Sequence, residues 1–303
     1  MWLRGVTTLS EAFGFEFFRH AVVAATLVGG LCGLMGVPIV LRRMSYAGHG
    51  LSHAMFGGAV ISVVLGWNFT LGAVTWGFIA ALLIEKTAHR RGIGADAAIG
   101  IVTSASFALG IAVISMRRGF RQNVEGVLFG NILGVTNSDL LAIGGVTAAI
   151  GIALFLGYKQ LLFTTFDPDL ARIYGIRGDW VDMIFALALA AMIAVSMHIV
   201  GVTLIAAAIV IPPSTARFLR HTFSRLLPLS AGLGAFYGFG GMLLSYATDI
   251  ASGAAIVLLA ASLFGVVYAI TGARRMLATH SHPALSSRRP HTHLAPSETV
   301  PGD

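Results

Sequence analysis

The sequence predicts an all-α polytopic membrane protein, a bundle of about nine transmembrane helices with eight to ten as the range. Three observations predict this class. Of the 303 residues, 56% are hydrophobic and only 11% are charged, whereas about a quarter of a soluble domain is normally charged. Apolar stretches long enough to cross a bilayer recur along the chain. The 37 glycines suit close packing of helices in lipid, where small residues let backbones approach.

Nine apolar segments make up a predicted membrane domain at residues 20–272. They lie at 20–41, 47–66, 69–86, 97–116, 139–158, 180–198, 199–216, 226–247 and 251–272. The sixth and seventh are almost continuous and join around His198 and Gly201. The stretch 123–138 is too short and too polar to cross the membrane, so we interpret it as a re-entrant or interfacial piece. Residues 1–19 are predicted to be an N-terminal segment without an obvious cleavable signal peptide.

Basic residues indicate how the chain is oriented. With nine spans and the N-terminus outside, fifteen lysines and arginines fall inside and five outside, which favours a cytoplasmic C-terminus in the cell (inner) membrane. The net charge of +7 then reflects loops facing an anionic leaflet rather than nucleic-acid binding. Residues 273–303 are hydrophilic and predict a disordered cytoplasmic tail. The tail contains four histidines, namely His280, His282, His291 and His293. They are either incidental polar residues or, alternatively, a metal buffer.

Two histidines four residues apart, His49 and His53, interrupt an otherwise apolar segment. Residues i and i+4 share one helix face and lie about 6 Å apart along its axis. Two imidazoles on one face can share a divalent transition metal, and ionisable groups inside a bilayer are functional candidates by default. The alternative is a pair of packing histidines bonded to backbone carbonyls. We predict that the pair lies on a path for metal through the membrane.

Four collinear motifs resemble the permease family of manganese/zinc/iron ABC importers, most closely its zinc-uptake members. The motifs are Gly33–Gly58, Phe166–Gly175, Val200–Ala216 and Asp249–Val257, the last with Ala251 where the family has proline. The resemblance runs from about residue 18 to 272. It implies a fold like that of type II ABC importers, with a short cytoplasmic coupling helix.

The resemblance also implies roles for individual residues. Asp249 joins His49 and His53 on the metal path, although a helix N-cap is the simpler role for an aspartate at that position. The predicted topology places Asp249 near the outer end and the histidines towards the cytoplasmic end, so the three form either one site around a broken helix or successive stations. From its position alone, between two predicted spans at the outer face, His198 is either an interfacial histidine or an entrance ligand. Gly201, Pro212 and Pro213 are assigned to helix packing or gating. The element that contacts the ATPase comprises Phe166, Asp167, Pro168, Asp169, Ala171, Arg172 and Gly175, in which Asp167 and Pro168 suit a first turn and Gly175 a C-cap.

The resulting expectation is a transport subunit without its own ATPase site. Neither lysine, Lys86 or Lys159, follows a phosphate-binding loop. The resemblance therefore implies a dimer of ABC ATPase subunits, an extracytoplasmic metal-binding protein and a second permease copy as partners, in contact with membrane lipid. No permanently bound cofactor is expected.

The expected cargo is a divalent metal moved by alternating access. Imidazole at His49, where the family commonly has a carboxylate, favours zinc over manganese, with manganese or iron as alternatives. A proton-coupled secondary transporter is a weaker alternative because the spans hold few carboxylates. An intramembrane metalloprotease is excluded because Gly50 stands where the glutamate base of a His-Glu-x-x-His site would be.

Overall fold

The structure is a computed structural model that describes residues 9–88, 94–116, 130, 132–202, 204–220 and 222–280. These residues form α-helices and one short 3-10 turn, Ile132–Gly134, and no strand occurs among them. In chain order the helices are α1 (Leu9–Ala12), α2 (Glu16–Leu41), α3 (Ala47–Val64), α4 (Phe69–Ala88), α5 (Ala95–Met116), α6 (Asn137–Leu156), α7 (Tyr158–Phe166), α8 (Pro168–Ile173), α9 (Gly178–Val200), α10 (Ile205–Leu219), α11 (Phe223–Thr248) and α12 (Ser252–His280).

The all-helical prediction is confirmed, but the count of nine spans is not. Within the described residues, seven helices are long and apolar enough to cross a membrane, namely α2, α4, α5, α6, α9, α11 and α12. The other two predicted segments correspond to α3 and α10. α3 has 18 residues, and two histidines lower its hydropathy, while α10 has only 15 residues.

Both ends of the predicted membrane domain differ from the structure, and at the first of them α2 begins at Glu16 rather than at residue 20. α12 continues to His280, so a helix occupies residues 273–280, where the sequence predicts a tail. Alanine, arginine, methionine and leucine in this stretch are all strong helix formers, which is why the helix continues. Residues 281–303 lie outside the described residues, as do residues 123–129 and 131 of the predicted re-entrant or interfacial stretch 123–138. The described end of that stretch, the turn Ile132–Gly134, packs against α2 and α9.

Helices α2 and α11 pack closely and antiparallel along a seam of small residues. Gly29 faces Gly234, and a Cβ added to either would overlap the backbone carbonyl of the other. One turn away, the Ser230 hydroxyl donates a 2.6 Å hydrogen bond to the Gly33 carbonyl. One turn in the other direction, Gly238 lies against the Ala25 carbonyl. This spacing of four residues is the packing that small residues provide in lipid.

The helix that carries the two histidines is held on several sides. α3 packs against α4, α5, α9 and α10. Gly57 meets α5 so closely that a Cβ would overlap the Ser106 carbonyl, and Gly58 is covered by the Trp76 side chain of α4. Because glycine lines both contacts, α3 lies deep between its neighbours.

The two prolines of α10 lie inside the helix. Proline has no N–H, so Pro213 cannot donate to the Ile209 carbonyl one turn earlier. Gly36 of α2 lies against that carbonyl, and a Cβ there would overlap the Ile209 oxygen. Pro213 and Gly36 together therefore let α2 and α10 approach closely at this level.

Candidate metal path and coupling segment

The two predicted histidines lie side by side on the first turns of α3. Their ring centroids are 4.4 Å apart with an interplanar angle of 73°, and both residues are partly buried. Tyr46 lies 5.3 Å from the His49 ring on one side, and Phe107 of α5 lies 5.1 Å from the His53 ring on the other. The pair offers two nitrogen donors at one place, flanked by aromatic rings.

The break between α9 and α10 reaches this pair. Ser52, between the two histidines in sequence, donates to the His49 carbonyl at 2.8 Å and to the Val202 carbonyl at 3.2 Å. Val202 follows Gly201, which ends α9 at φ 84° and ψ 155°. Irregular backbone at membrane depth is tolerated where protein surrounds it or where it lines a cavity. The break therefore connects α9 and α10 to the helix that carries the histidines.

Replacing Gly201 with alanine is expected to destabilise the protein by about 1–3 kcal/mol, because its backbone conformation is one that only glycine adopts readily. The change would also displace the Val202 carbonyl from Ser52. Thermal unfolding in detergent tests this, with Gly178→Ala as the control, since a Cβ at Gly178 meets nothing within 4 Å at the start of the same helix. Equal melting temperatures for the two variants would contradict the prediction.

Sequence reasoning missed Thr103 of α5. Its side chain is 7% exposed, and its hydroxyl has no hydrogen-bond partner among the described residues. A Cβ added to Gly50, between the two histidines, would lie 2.8 Å from that hydroxyl oxygen. Only the fold brings this polar group to α3, and no local motif marks it.

Asp249 lies well away from the histidine pair. It is an exposed residue in the left-handed conformation (φ 57°) at the C-terminal end of α11, and α12 begins only at Ser252. It is therefore a C-cap of α11 and not the N-cap of α12. The bend is held by Ser245, which donates to the Ile250 carbonyl at 2.6 Å.

Asp249 and the histidine pair lie at different levels along the length of α2. The Phe18 ring lies 5.1 Å from Tyr246, close to Asp249 in sequence. Gly36 and Gly48 both contact Ile209, which places the start of α3 near Gly36. Phe18 and Gly36 are 18 residues apart, about 27 Å at 1.5 Å per residue. Among the described residues no group of three or more His, Cys, Asp or Glu is placed to hold a metal, and the side chain of His198 lies outside them.

The predicted coupling segment forms a short capped helix, α8. The Asp167 carboxylate accepts a 2.9 Å hydrogen bond from the Leu170 N–H. At the other end Gly175 has φ +74°, and the Gly175 and Ile176 N–H groups donate to the Arg172 and Ala171 carbonyls. This bond pattern is a Schellman motif, which glycine favours. The predicted start and stop of the helix are therefore observed.

The surface around α8 combines one buried anchor with exposed apolar side chains. Ala171 is buried, and the helix packs against α7 and α9. Ile173 and Tyr174 are 80% and 69% exposed, and Phe166 is exposed as well. Asp169 and Arg172 form an exposed ion pair of 3.5 Å.

A second group missed by sequence reasoning surrounds Arg42 at the end of α2. Its guanidinium pairs with Asp182 of α9 and donates to the hydroxyls of Thr165 at 3.1 Å and Thr164 at 2.9 Å, both on α7. It also lies over the Phe185 ring, 5.1 Å from the centroid. These contacts place the end of α2 beside the chain that leads into α8.

Comparison with known proteins agrees with this arrangement. The model of the ABC 3 transport family matches residues 14–271. The manganese transport system membrane protein MntC of Halalkalibacterium halodurans is 35% identical over 85% of this chain and 88% of its own length. The chelated iron transport system membrane protein YfeC of Yersinia pestis is 30% identical over 94% and 97%.

A solved structure shares the fold. PsaBC from Streptococcus pneumoniae, in complex with a Fab, superposes with a TM-score of 0.77 at 34% identity, covering 86% of this chain and 95% of that one. The match to the family model, at residues 14–271, includes the histidine pair and the predicted coupling segment. The chain therefore belongs to the ABC 3 transport family, the family of metal-importer permeases that its motifs resemble.

Proposed function

We propose that this protein is the membrane permease of an ATP-driven importer that passes zinc from an extracytoplasmic binding protein into the cytoplasm. The observation that carries the proposal is the His49–His53 pair, half-buried on α3, with ring centroids 4.4 Å apart. Two nitrogen donors suit zinc better than a carboxylate-rich site does. Two protein ligands hold the ion weakly enough to release it, whereas a closed set of four would trap it.

Manganese is the second candidate cargo, and the relatives favour it. MntC is named for manganese transport and YfeC for chelated iron. The residue that separates the candidates is His49, where the family commonly has a carboxylate. An oxygen donor at this position would suit the harder manganese ion.

Asp249 and the histidine pair would act as successive stations at different depths of the bundle. In this proposal Asp249 lies at the outer end and receives metal from the binding protein, and the histidines lie nearer the cytoplasm. Residues 20–272 form the permease domain of a homodimer embedded in lipid. Residues 1–19 precede it, and the tail beyond α12 is cytoplasmic. Gly201 sets the break between α9 and α10 along the path, and Pro212 and Pro213 serve helix packing or gating within α10.

The ATPase dimer would bind α8 and the residues around it. Hydrogen bonds cap both ends of α8 and keep this helix rigid. The exposed side chains of Phe166, Ile173 and Tyr174 offer an apolar contact surface. A rigid element at the surface can follow a partner's movement and pass it to α7 and α9, against which it packs. The energy for switching which side is open comes from the ATP that the partner hydrolyses.

Metal uptake in a strain that lacks its own importer tests the proposal. The strain carries wild type, His49→Ala, His53→Ala or His49→Asp, together with the cognate ATPase and binding protein. His20→Ala is the control, because His20 lies on α2 and pairs with Glu16 at 3.7 Å, away from the site. Outer-shell partners alone change metal affinity 10–100-fold, so losing a direct ligand is expected to lower zinc uptake at least about tenfold.

The outcomes separate the two cargoes and the packing alternative. Zinc uptake lost in both alanine variants, with normal protein level and normal uptake by His20→Ala, supports the proposed path. A gain of manganese uptake in His49→Asp would assign metal choice to this position. Wild-type uptake of manganese but not zinc would favour the second candidate. Equal zinc uptake by all variants would show that His49 and His53 are packing residues.

A further inference from the structure

Arg42 joins three helices at one end of the bundle. It is the C-cap of α2, its guanidinium pairs with Asp182 of α9, and it donates to Thr164 and Thr165 of α7. Its side chain is only 10% exposed. The planar guanidinium presents several donors in fixed directions, so it can hold three partners at once.

The Arg42 contact lies between α8 and the start of α3, and both helices have roles in the proposed transport. Along the chain, Thr165 is followed by Phe166 and Asp167, which begins α8. On the other side, Arg42 starts the turn that leads into α3 and its histidines. Movement of α8 would therefore reach Arg42 through the two threonines, and movement of Arg42 would reach the start of α3 through the turn.

The turn after Arg42 is short and conformationally restricted. Arg43 has φ 59°, a left-handed conformation that is uncommon for residues other than glycine. The Met44 N–H donates to the Ile39 carbonyl and the Ala47 N–H to the Met44 carbonyl, both at 2.9 Å. A turn fixed by hydrogen bonds at both ends transmits displacement rather than absorbing it.

Space beside the ion pair would allow such a displacement. A cavity of about 270 Å³ is lined by Arg42, Asp182 and two residues of α3, Ala47 and Leu51, among others. Protein interiors are normally close-packed, so an opening of this size leaves neighbouring helices room to shift. The cavity therefore leaves unfilled space between the first turn of α3 and α9.

We propose that Arg42 is the positioning residue that couples the ATPase-driven movement of α8 to the histidine pair on α3. It does not touch the metal; it acts through α7, α9 and the turn at Arg43. This inference rests on the proposed function of the chain as an importer permease. It predicts that weakening the contact separates ATP hydrolysis from metal transport while both partners remain assembled.

The complete importer in proteoliposomes tests the proposal. The permease, with its own ATPase and binding protein, carries Arg42→Gln or the double change Thr164→Val with Thr165→Val. The double change removes the two hydroxyl acceptors, together with the bond that the Thr164 hydroxyl donates to the Gln160 carbonyl within α7, and keeps both members of the Arg42–Asp182 pair. Arg225→Gln is the control, because Arg225 is an exposed arginine in the first turn of α11 and lies outside the proposed route. The measured quantities are melting temperature, ATPase co-purification, ATP hydrolysis and metal transported per ATP.

The expected result is a loss of coupling rather than a loss of protein. Coupling free energies between sites typically correspond to 5–150-fold effects, so metal transported per ATP is expected to fall about tenfold in the Arg42 and double-threonine variants. ATPase co-purification and basal hydrolysis should match those of Arg225→Gln. If Arg42→Gln fails to fold, the double-threonine variant alone tests the coupling role of Arg42.

Two outcomes would overturn the proposal. The first is an unchanged ratio of metal to ATP in the threonine variant. The second is a transport loss that only follows the loss of folded, assembled complex, which would make Arg42 purely structural. A wild-type importer that moves neither zinc nor manganese would instead refute the proposed function itself.

Discussion

Gly234→Ala is expected to destabilise the helical bundle by about 1–3 kcal/mol, the usual effect of forcing extra volume into a packed interior. The added Cβ would overlap the Gly29 carbonyl, which belongs to the backbone of α2 and cannot rotate away. Relief would require α2 and α11 to separate, which would strain the 2.6 Å hydrogen bond from Ser230 to the Gly33 carbonyl. A larger residue, as in Gly234→Leu, is expected to prevent accumulation of folded protein.

Gly232→Ala on the same helix is the matched control. Gly232 is exposed, and a Cβ there meets nothing within 4 Å. Alanine favours a helix over glycine by about 1 kcal/mol, so this variant should melt at or above the wild-type temperature. Melting in detergent and the yield of monodisperse protein measure both changes. Similar melting temperatures for the two variants would show that the seam between α2 and α11 is not close-packed.

The sequence predicted the membrane class, the positions of the helices and both ends of α8 because each of these depends on local composition. Low charge and repeated apolar stretches are enough to predict helices in lipid. An aspartate before a proline and a glycine after the apolar residues are enough to predict both ends of α8. These signals act within a few residues of the chain.

The contacts that organise the site could not be predicted in the same way. Arg42 and Asp182 are 140 residues apart, and Ser52 and Val202 are 150 apart. In the sequence Arg42 counts only as one of the basic residues that set orientation, and Thr103 is an ordinary polar residue in an apolar helix. Their roles depend on which helices become neighbours, and a single sequence does not specify that.

The number of spans was uncertain for a physical reason. α3 carries the histidines, and the polar groups that are its candidate metal ligands also make it less apolar. Gly201 breaks one long apolar run into α9 and the shorter α10. Hydropathy is therefore least informative where the candidate path lies, which agrees with the general cost of ionisable groups in membranes.

Ile173→Asp is expected to abolish ATP-driven metal uptake while leaving the permease folded. Ile173 ends α8 with 80% of its surface exposed, so a carboxylate there displaces no packing within this chain. In the proposed complex the same side chain would be covered by the ATPase, and a buried unpaired charge opposes binding. Loss of a central interface residue typically costs at least 2 kcal/mol, roughly thirtyfold in affinity.

Co-purification of the ATPase with a tagged permease measures this effect, and the melting temperature of the permease alone checks its fold. Leu219→Asp is the matched control, an exposed apolar residue (46%) at the end of α10 on the same predicted side of the membrane. Loss of the ATPase from Ile173→Asp but not from Leu219→Asp would locate docking at α8. If both variants retain the ATPase and transport metal, the exposed apolar surface of α8 has another cause and the coupling role assigned to Phe166–Gly175 fails. Because the charge is added outside the packed bundle, a fall in uptake that comes with loss of the ATPase and an unchanged melting temperature assigns the defect to the partner interface.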